Sequence, residues 1–374
     1  MSVKIVDYPI RVLHIVTTMN RGGLETMIMN YYRHINRSKV QFDFLVHRDF
    51  EADYDREILD LGGKIYRISR LNPFSFKYHK ELNDFFKNHP EYKIVHVHQD
   101  CMSSIALKAA MKNNVPIRIA HSHSSSQNKN IKYLIKKNYM KKIPKYATNL
   151  FACGQEAGDW MFSGNNYVIL KNAIDTNLYK YSLKNSIAIK KELGLENKIV
   201  IGHVGNFTYP KNHNFLIDIF SEVLKINSKA VLLLVGGGIE KTNIQEKVIS
   251  LGLENKVIFM GVRNDVNKLM QAMDVFIFPS LYEGLPVTLI EAQASGLPII
   301  KSDNISNQCI LTDNVVSISL DKSANSWAKE ILNFVNSFDR KDTSLEIINN
   351  GYDISSNAKW LENYYLDEVS KIGK

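Results

Sequence analysis

Residues 278–300 read FPSLYEGLPVTLIEAQASGLPII. The stretch opens on the end of an apolar run, DVFIFPS at 274–280, which reads as a buried parallel strand ending in a loop. After Pro286 the residues VTLIEAQASG give a helix that stops at Gly296. Between strand and helix, the loop and first helical turn expose backbone N–H groups at the carboxyl end of a strand. An α/β sheet holds phosphates at that place, so an anion is expected there. Glu283 and Glu291 sit eight positions apart around the Gly-Leu-Pro turn. Glu283 is expected at the mouth of a cleft and Glu291 about one helical turn in, each able to accept hydrogen bonds from ribose or sugar hydroxyls.

Outward from this stretch, strand and helix patterns alternate twice. In the first half, apolar strand runs lie at 11–17, 42–47, 64–69, 94–98 and 117–123, with helical patterns near 24–35, 54–61, 76–87 and 102–113. The second half repeats the scheme, with strands at 198–205, 230–238, 256–261 and 275–280 and helices near 212–226, 242–251 and 265–272. Alternation with short connections predicts an α/β fold of two doubly wound parallel sheets, hence two Rossmann-like domains. The aperiodic run KNAIDTNLYKYSLKNS marks the switch between them. This places a first domain at 1–175, a second at 176–355 and a closing helical segment at 356–374. A length of 374 residues agrees, because one core usually stops growing below that size.

Composition narrows the setting. No run of about 18 apolar residues is present, and MSVKIVDYPIRVLHIV lacks a signal-peptide cleavage pattern, so a cytoplasmic protein is expected. Cys101, Cys153 and Cys309 have neither pairing nor metal spacing, which fits a reducing compartment. The net charge of +9 implies an acidic partner: a nucleotide sugar, an anionic lipid or a nucleic acid. No module that reads RNA or DNA is visible, so nucleic acid is set aside.

The pattern around the two glutamates carries a resemblance. Pro279, Ser280, Glu283, Gly284, Pro286, Glu291, Ala292, Ala294, Gly296 and Pro298 all fall where retaining glycosyltransferases of the GT-B fold place their E-x7-E signature. The chain resembles family 4 of those enzymes in particular, the group that builds bacterial capsule, exopolysaccharide and lipopolysaccharide. The resemblance implies two Rossmann-like domains facing across a cleft, a nucleotide-sugar donor mainly on the second and a glycan or lipid-linked acceptor on the first. It implies a closing helix that crosses back to the first domain, and transfer with retention and without a metal or other cofactor. A UDP-sugar donor is the expectation. A sugar-nucleotide epimerase of the same fold and a silent binding module remain the alternatives.

Site residues follow from the same resemblance. Gly22 and Gly23, in TTMNRGGLET, lie between the first strand and first helix, where backbone can approach a phosphate or sugar closely; an ordinary tight connection would use the same glycines. With Glu25 they resemble the family's GG-x-E loop. Lys211 resembles the lysine aimed at the donor diphosphate, where a cation offsets charge on the leaving group. Asn206 stands where most members carry Arg, and Asn supplies neither charge nor a bidentate fork. Backbone N–H groups near Gly284 and Leu285, or the cation Arg263, are expected to help, and Pro286 is counted with them among the donor-binding residues. Gly237 and Val262 complete the expected donor site, Arg263 being placed near the nucleobase.

Two H-x-H pairs raise a rival. His96 and His98 alternate on one strand and so share a side, as do His121 and His123. Such pairs suit metal ligation in a hydrolase, or they cap strand ends as structural groups. In the resembled family a histidine near this point contacts the transferred sugar. Either His121 or His123 fits that role, with His123 favoured; no metal is expected. The triplet Asp53-Tyr54-Asp55 reads as surface charge at a helix start. NKNIKYLIKKNYMKKIPK carries Lys132, Lys136, Lys137, Lys141 and Lys142, with Ile131, Leu134, Ile135, Tyr139 and Ile143 at helical spacing. A basic amphipathic helix of this kind fits an anionic membrane surface, or equally a core-packed helix with a solvated lysine face. Peripheral association with the inner face of the cell membrane is the expectation drawn from it.

Overall fold

The structure, a computed structural model, describes residues 9–124 and 131–372, with the side chains of 131–133 also outside the description. It divides into two units: one runs up to Ala173 and takes the chain back from Ile354, and the other spans Ile174–Asp353.

The first unit is built on a parallel sheet of seven strands: β1 (Ile10–Ile15), β2 (Val40–Val46), β3 (Ile65–Arg67), β4 (Ile94–Val97), β5 (Ile117–Ser122), β6 (Asn149–Ala152) and β7 (Val168–Ile169). Their order is β3-β2-β1-β4-β5-β6-β7, so the direction of winding reverses between β1 and β4. All seven residues of β2 are buried, as a strand covered by helices on both faces requires. The closing helix Ile354–Ser370 buries Ile354, Ala358, Leu361 and Tyr365 in this unit's core. Its Glu362 accepts a hydrogen bond from the Asn36 amide at 3.1 Å.

The second unit repeats the plan with six parallel strands: β8 (Ile199–Val204), β9 (Ala230–Val235), β10 (Val257–Gly261), β11 (Val275–Phe278), β12 (Ile299–Ser302) and β13 (Val315–Ile318), in the order β10-β9-β8-β11-β12-β13. Here the reversal falls between β8 and β11. In both units it therefore lies beside the first strand, and the crevice outside the carboxyl ends of the strands at such a point is where open α/β sheets receive ligands.

The structure adds strands that the sequence pattern missed. β6, β7, β12 and β13 are two to four residues long, too short to show a period of their own. The Asp53-Tyr54-Asp55 triplet is corrected: Asp55 and Tyr54 are buried, and only Asp53 is exposed. Asp55 pairs with Arg67 and accepts from the Ala52 amide at 3.1 Å, which holds the carboxylate inside. The lysine-rich segment forms a helix over Ile131–Met140 and then a separate short one over Ile143–Tyr146, with Pro144 in its first turn. Proline lacks the N–H that a continuing helix needs, so a single helix through Ile143 does not form. The run before residue 131 and the side chain of Lys132 lie outside the described residues. Among the described residues no helix is long and apolar enough to cross a membrane.

Candidate functional site

In the second unit the segment that follows β11 folds as its sequence dictates. Pro286 takes the N-cap position with extended backbone, and the helix Val287–Ala294 starts directly after it. This puts Glu283 in the loop and Glu291 on the inner face of the helix. Glu291 is 5% exposed, and its carboxylate accepts a hydrogen bond from the Tyr179 hydroxyl at 2.7 Å. Burial pushes the Glu291 carboxyl up to about 7, against which the Tyr179 hydrogen bond works. Tyr179 ends the short helix Thr176–Tyr179, 112 residues away in the chain, and no sequence pattern connects the two.

Lys211 sits in the turn Tyr209–Lys211 just after β8. Its ammonium is 2.8 Å from a Glu283 oxygen and 4.7 Å from the centre of the Phe278 ring, with both charged side chains largely buried. The pair is close in distance yet not aligned as a hydrogen bond. Two loops meet here because Asn212 donates to the Pro279 carbonyl at 3.1 Å and the Leu281 amide donates to the Pro210 carbonyl at 2.8 Å. Asn212 adopts a left-handed φ of 55°, which asparagine tolerates better than most residues. The structure thus brings together Lys211, Glu283 and the loop carrying Gly284, Leu285 and Pro286.

The glycine run after β9 is shaped by the same neighbourhood. Gly236 and Gly238 both have φ of +144°, and a Cβ on either would strike the backbone of Gly205 or Phe207. Phe207 donates its amide to the Gly237 carbonyl at 2.7 Å, so the run lies against the loop that carries Asn206, whose side chain is exposed. A Cβ on Gly237 would meet the Val262 side chain at 3.0 Å. Val262 is exposed, and Arg263 pairs with Asp265 through bonds of 2.6 and 2.8 Å. That partner, two residues along, already neutralises the guanidinium, so Arg263 is a weaker source of positive charge than its sequence position suggests.

Two buried histidines of this unit escaped the sequence reading. His203 on β8 shares its Nδ1 with the Ile277 carbonyl at 2.8 Å, and His213 stacks on Phe207 with ring centres 4.1 Å apart. Burial pushes them down to about 4 and about 2, so both are neutral at ordinary pH.

In the first unit, Gly22 is the N-cap of helix Gly23–His34, and the Glu25 carboxylate folds back to the space a Gly22 Cβ would occupy. Burial pushes the Glu25 carboxyl up to about 7. Asp53 accepts the Arg21 amide at 2.9 Å and so fastens this loop.

The histidines form one group. His14, which the sequence reading did not single out, pairs in register with His96 across β1 and β4. His14 Nδ1 is 3.0 Å from His98 Nε2, and His98 Nδ1 is 2.9 Å from His123 Nε2. His96 Nε2 is 3.1 Å from His121 Nδ1, and His96 Nδ1 is 2.7 Å from the Tyr365 hydroxyl of the closing helix. His14, His96, His98 and His121 are buried; His121 is wholly inaccessible, whereas His123 is half-buried at the strand end. His123 is therefore the accessible member of its pair, and His121 lies behind it. Burial pushes His14 and His123 down to about 3 and the other three well below the ordinary histidine range, with neighbouring histidines adding to the effect. Two triplets, His14 with His96 and His98, and His98 with His121 and His123, each bring three ring nitrogens within 4.8 Å. These are the described residues best placed to ligate a metal. Most of their ring nitrogens are instead engaged with one another.

On the lysine-rich helix, Leu134 is 69% exposed beside the exposed Lys137, and in the turn after it Lys142 lies 5.2 Å from the Tyr139 ring centre. Lys136 and Lys142 are half-buried and Lys141 is exposed.

Comparison with known proteins identifies the architecture and the family. Residues 185–353 match the model of glycosyl transferases group 1, and residues 21–178 match that of glycosyltransferase family 4. The chain is 35% identical over 376 residues, 96% of this chain and 97% of the other, to EpsF of Bacillus subtilis (strain 168), a protein named for glycosyl transfer. It is 24% identical over 303 residues, 75% of this chain and 76% of the other, to an Escherichia coli enzyme named UDP-Gal:alpha-D-GlcNAc-diphosphoundecaprenol alpha-1,3-galactosyltransferase. The structure of Anabaena HepE in complex with UDP and glucose superposes with a TM-score of 0.71 at 19% identity, over 96% of each chain. That last likeness bears on fold alone, and the fold is GT-B. By the extent of these matches, the chain belongs to the group 1, family 4 glycosyltransferases and is an enzyme of glycosyl transfer.

Proposed function

We propose that the protein moves a hexose-type sugar, with retention and without a metal, from a UDP-sugar to a hydroxyl of a growing lipid-linked bacterial surface glycan. The observation that carries this reading is the set formed by Lys211, Glu283 and Glu291 at the carboxyl ends of β8 and β11. It joins one cation to two carboxylates beside a helix start, which is what a diphosphate flanked by two polyhydroxy rings needs. Lys211 offsets the negative charge that builds on the departing diphosphate, as a positioned cation does in a water-poor site. Glu291 in its ionised form accepts from the ribose hydroxyls, and Glu283 accepts from those of the sugar. For Lys211 to serve the diphosphate it must exchange its contact with Glu283 for the donor. Gly22, Gly23 and His123 serve the transferred sugar, His123 being the histidine with access. The basic segment carrying Lys136, Lys137, Lys141 and Lys142 docks on an anionic membrane surface, where a lipid-linked acceptor would be presented. Support for UDP and for a lipid diphosphate comes from the name of the Escherichia coli relative.

A thermal-shift series with UDP, GDP, ADP and their sugars tests the reading, since a ligand that binds only the folded state raises the midpoint. UDP and a UDP-sugar should raise it. In Glu291→Gln the UDP affinity should drop by about tenfold, the loss of a charge-assisted hydrogen bond of roughly 1.5–3 kcal/mol. No shift with any nucleotide would overturn the assignment.

A further inference from the structure

One hollow of the first unit is used by nothing described so far. It is an open cavity of about 520 Å³ at the carboxyl ends of β2 and β3, lined by His47, Asp49, Arg67, Arg70, Glu81 and Asp84 among others. Its volume falls in the range of about 300–1,000 Å³ that small-molecule sites occupy. Its floor is fixed: His47 is buried, with Nδ1 2.8 Å from the Val16 carbonyl and Nε2 3.0 Å from the Tyr78 hydroxyl. One wall is fixed as well, because Glu81 accepts the Ser69 amide at 2.8 Å and so ties the helix Phe76–Asn88 to the segment after β3.

The rest of the lining is unspent. Arg67 is committed to Asp55, but Arg70, Asp49 and Asp84 make no hydrogen bond or ion pair among the described residues. A guanidinium offers several donors in a plane, and a carboxylate accepts from two sides. Two arginines against three carboxylates give no net positive field, so a phosphate has no advantage here. The three carboxylates do not converge as cation ligands either: among the described residues only histidine triplets bring three ligand atoms within 4.8 Å. What the lining matches is an uncharged ring carrying hydroxyls on several sides, each able to donate to a carboxylate and accept from Arg70.

We infer that this cavity binds a neutral sugar ring of the acceptor glycan, with Arg70, Asp49 and Asp84 as its hydrogen-bonding groups. The inference rests on the proposed transfer to a glycan and gives the acceptor this cavity of the first unit as its seat.

The test uses the full chain and saturation-transfer NMR with the methyl glycosides of glucose, galactose and N-acetylglucosamine, alongside inorganic pyrophosphate and UDP. At least one glycoside should bind the wild type, and in Arg70→Ala and Asp84→Asn its apparent Kd should rise about tenfold or more while the UDP affinity stays as in the wild type. Both side chains are exposed, so neither change threatens folding. The inference is overturned if no glycoside binds, if the variants bind glycoside as the wild type does, or if pyrophosphate binds and is lost in the same variants. Failure of UDP to bind, with glycoside binding still dependent on Arg70, would instead sink the donor assignment and leave the cavity standing.

Discussion

The two units place polar groups at the same position of the same topology and solve their burial in opposite ways. Beside the winding reversal of the first unit, β1, β4, β5 and the residues that directly follow the last two carry five histidines that hydrogen-bond among themselves, their proton affinities lowered by burial. Beside that of the second, the segments after β8 and β11 carry Lys211 and Glu283, a cation against a carboxylate, with Glu291 held by a tyrosine. Neutral groups can be stacked in a core at the cost of a proton affinity; charges must be paired or hydrogen-bonded there. The difference teaches which unit is built to meet a charged ligand. In the second, Lys211 against Glu283 is an ion pair that an incoming anion can open.

The largest test of that contrast is Lys211→Ala. Removing one preorganised charge-stabilising group typically lowers kcat by roughly 10²–10³, and that loss should appear in UDP release from a UDP-sugar. Chelation with EDTA should leave the wild-type rate unchanged, and elemental analysis should find no stoichiometric zinc or manganese. About one metal ion per chain, lost with His98 or His121, would show that the histidine group is a ligand set after all.

Acid should separate the units next. A histidine held near 3 in the folded state and near 6.5 when unfolded leaves stability intact above pH 6.5 and erodes it as pH falls from 6.5 toward 3, because the unfolded chain takes up the proton first. His14 and His123 are two such groups in the first unit, where burial also lowers His47, His96, His98 and His121, while the second unit has His203 and His213. Glu291 of the second unit and Glu25 of the first have the opposite sign and balance one another: each is raised from 4.5 to about 7, contributes fully below 4.5 and loses its contribution as pH rises through 7. The first unit should therefore open at higher pH than the second, with more than one proton taken up. Urea midpoints from pH 7 to 4, followed by limited proteolysis of each unit, measure this; equal acid sensitivity would break the contrast.

Smaller effects sharpen the same picture. Tyr179→Phe removes the hydroxyl that donates to Glu291, a hydrogen bond to a charged group worth roughly 1.5–3 kcal/mol, so UDP affinity at pH 7 should fall about tenfold and recover in part at pH 8.5 as the carboxyl ionises. A loss that is the same at both values would mean that Tyr179 serves packing alone. The smallest expected change is at the membrane, where each lysine near an anionic leaflet contributes about 1 kcal/mol and salt weakens it. Flotation with anionic liposomes should recover the protein at low salt, and Lys136→Ala with Lys137→Ala and Lys141→Ala should reduce recovery. Equal recovery on neutral lipid would reassign that helix face to solvent.

Much of the architecture was legible because the physics is local. Strand runs such as AVLLLV and turn chemistry such as Gly-Leu-Pro report their own conformation, and the long central strands and most helices lie within a few residues of their sequence limits. The short strands β6, β7, β12 and β13 were not, since two to four residues gain their place only by pairing with a neighbour. The reading of Asp55 as surface charge failed for a related reason: a carboxylate can be buried once a distant Arg67 and a nearby amide receive it.

The sequence alone determined the chain's class, its two alternating halves and the loop in which Glu283 and Glu291 stand, because those follow from side-chain period and backbone preference within some twenty residues. Only the tertiary structure decided that Tyr179 reaches Glu291, that His14 joins four histidines of other strands, that Arg263 is neutralised by Asp265 while Lys211 faces Glu283, and that His123 rather than His121 is accessible. Proton affinities belong to the same category. They depend on how much water each group has lost, and that is set by strand order and packing between segments far apart in the chain.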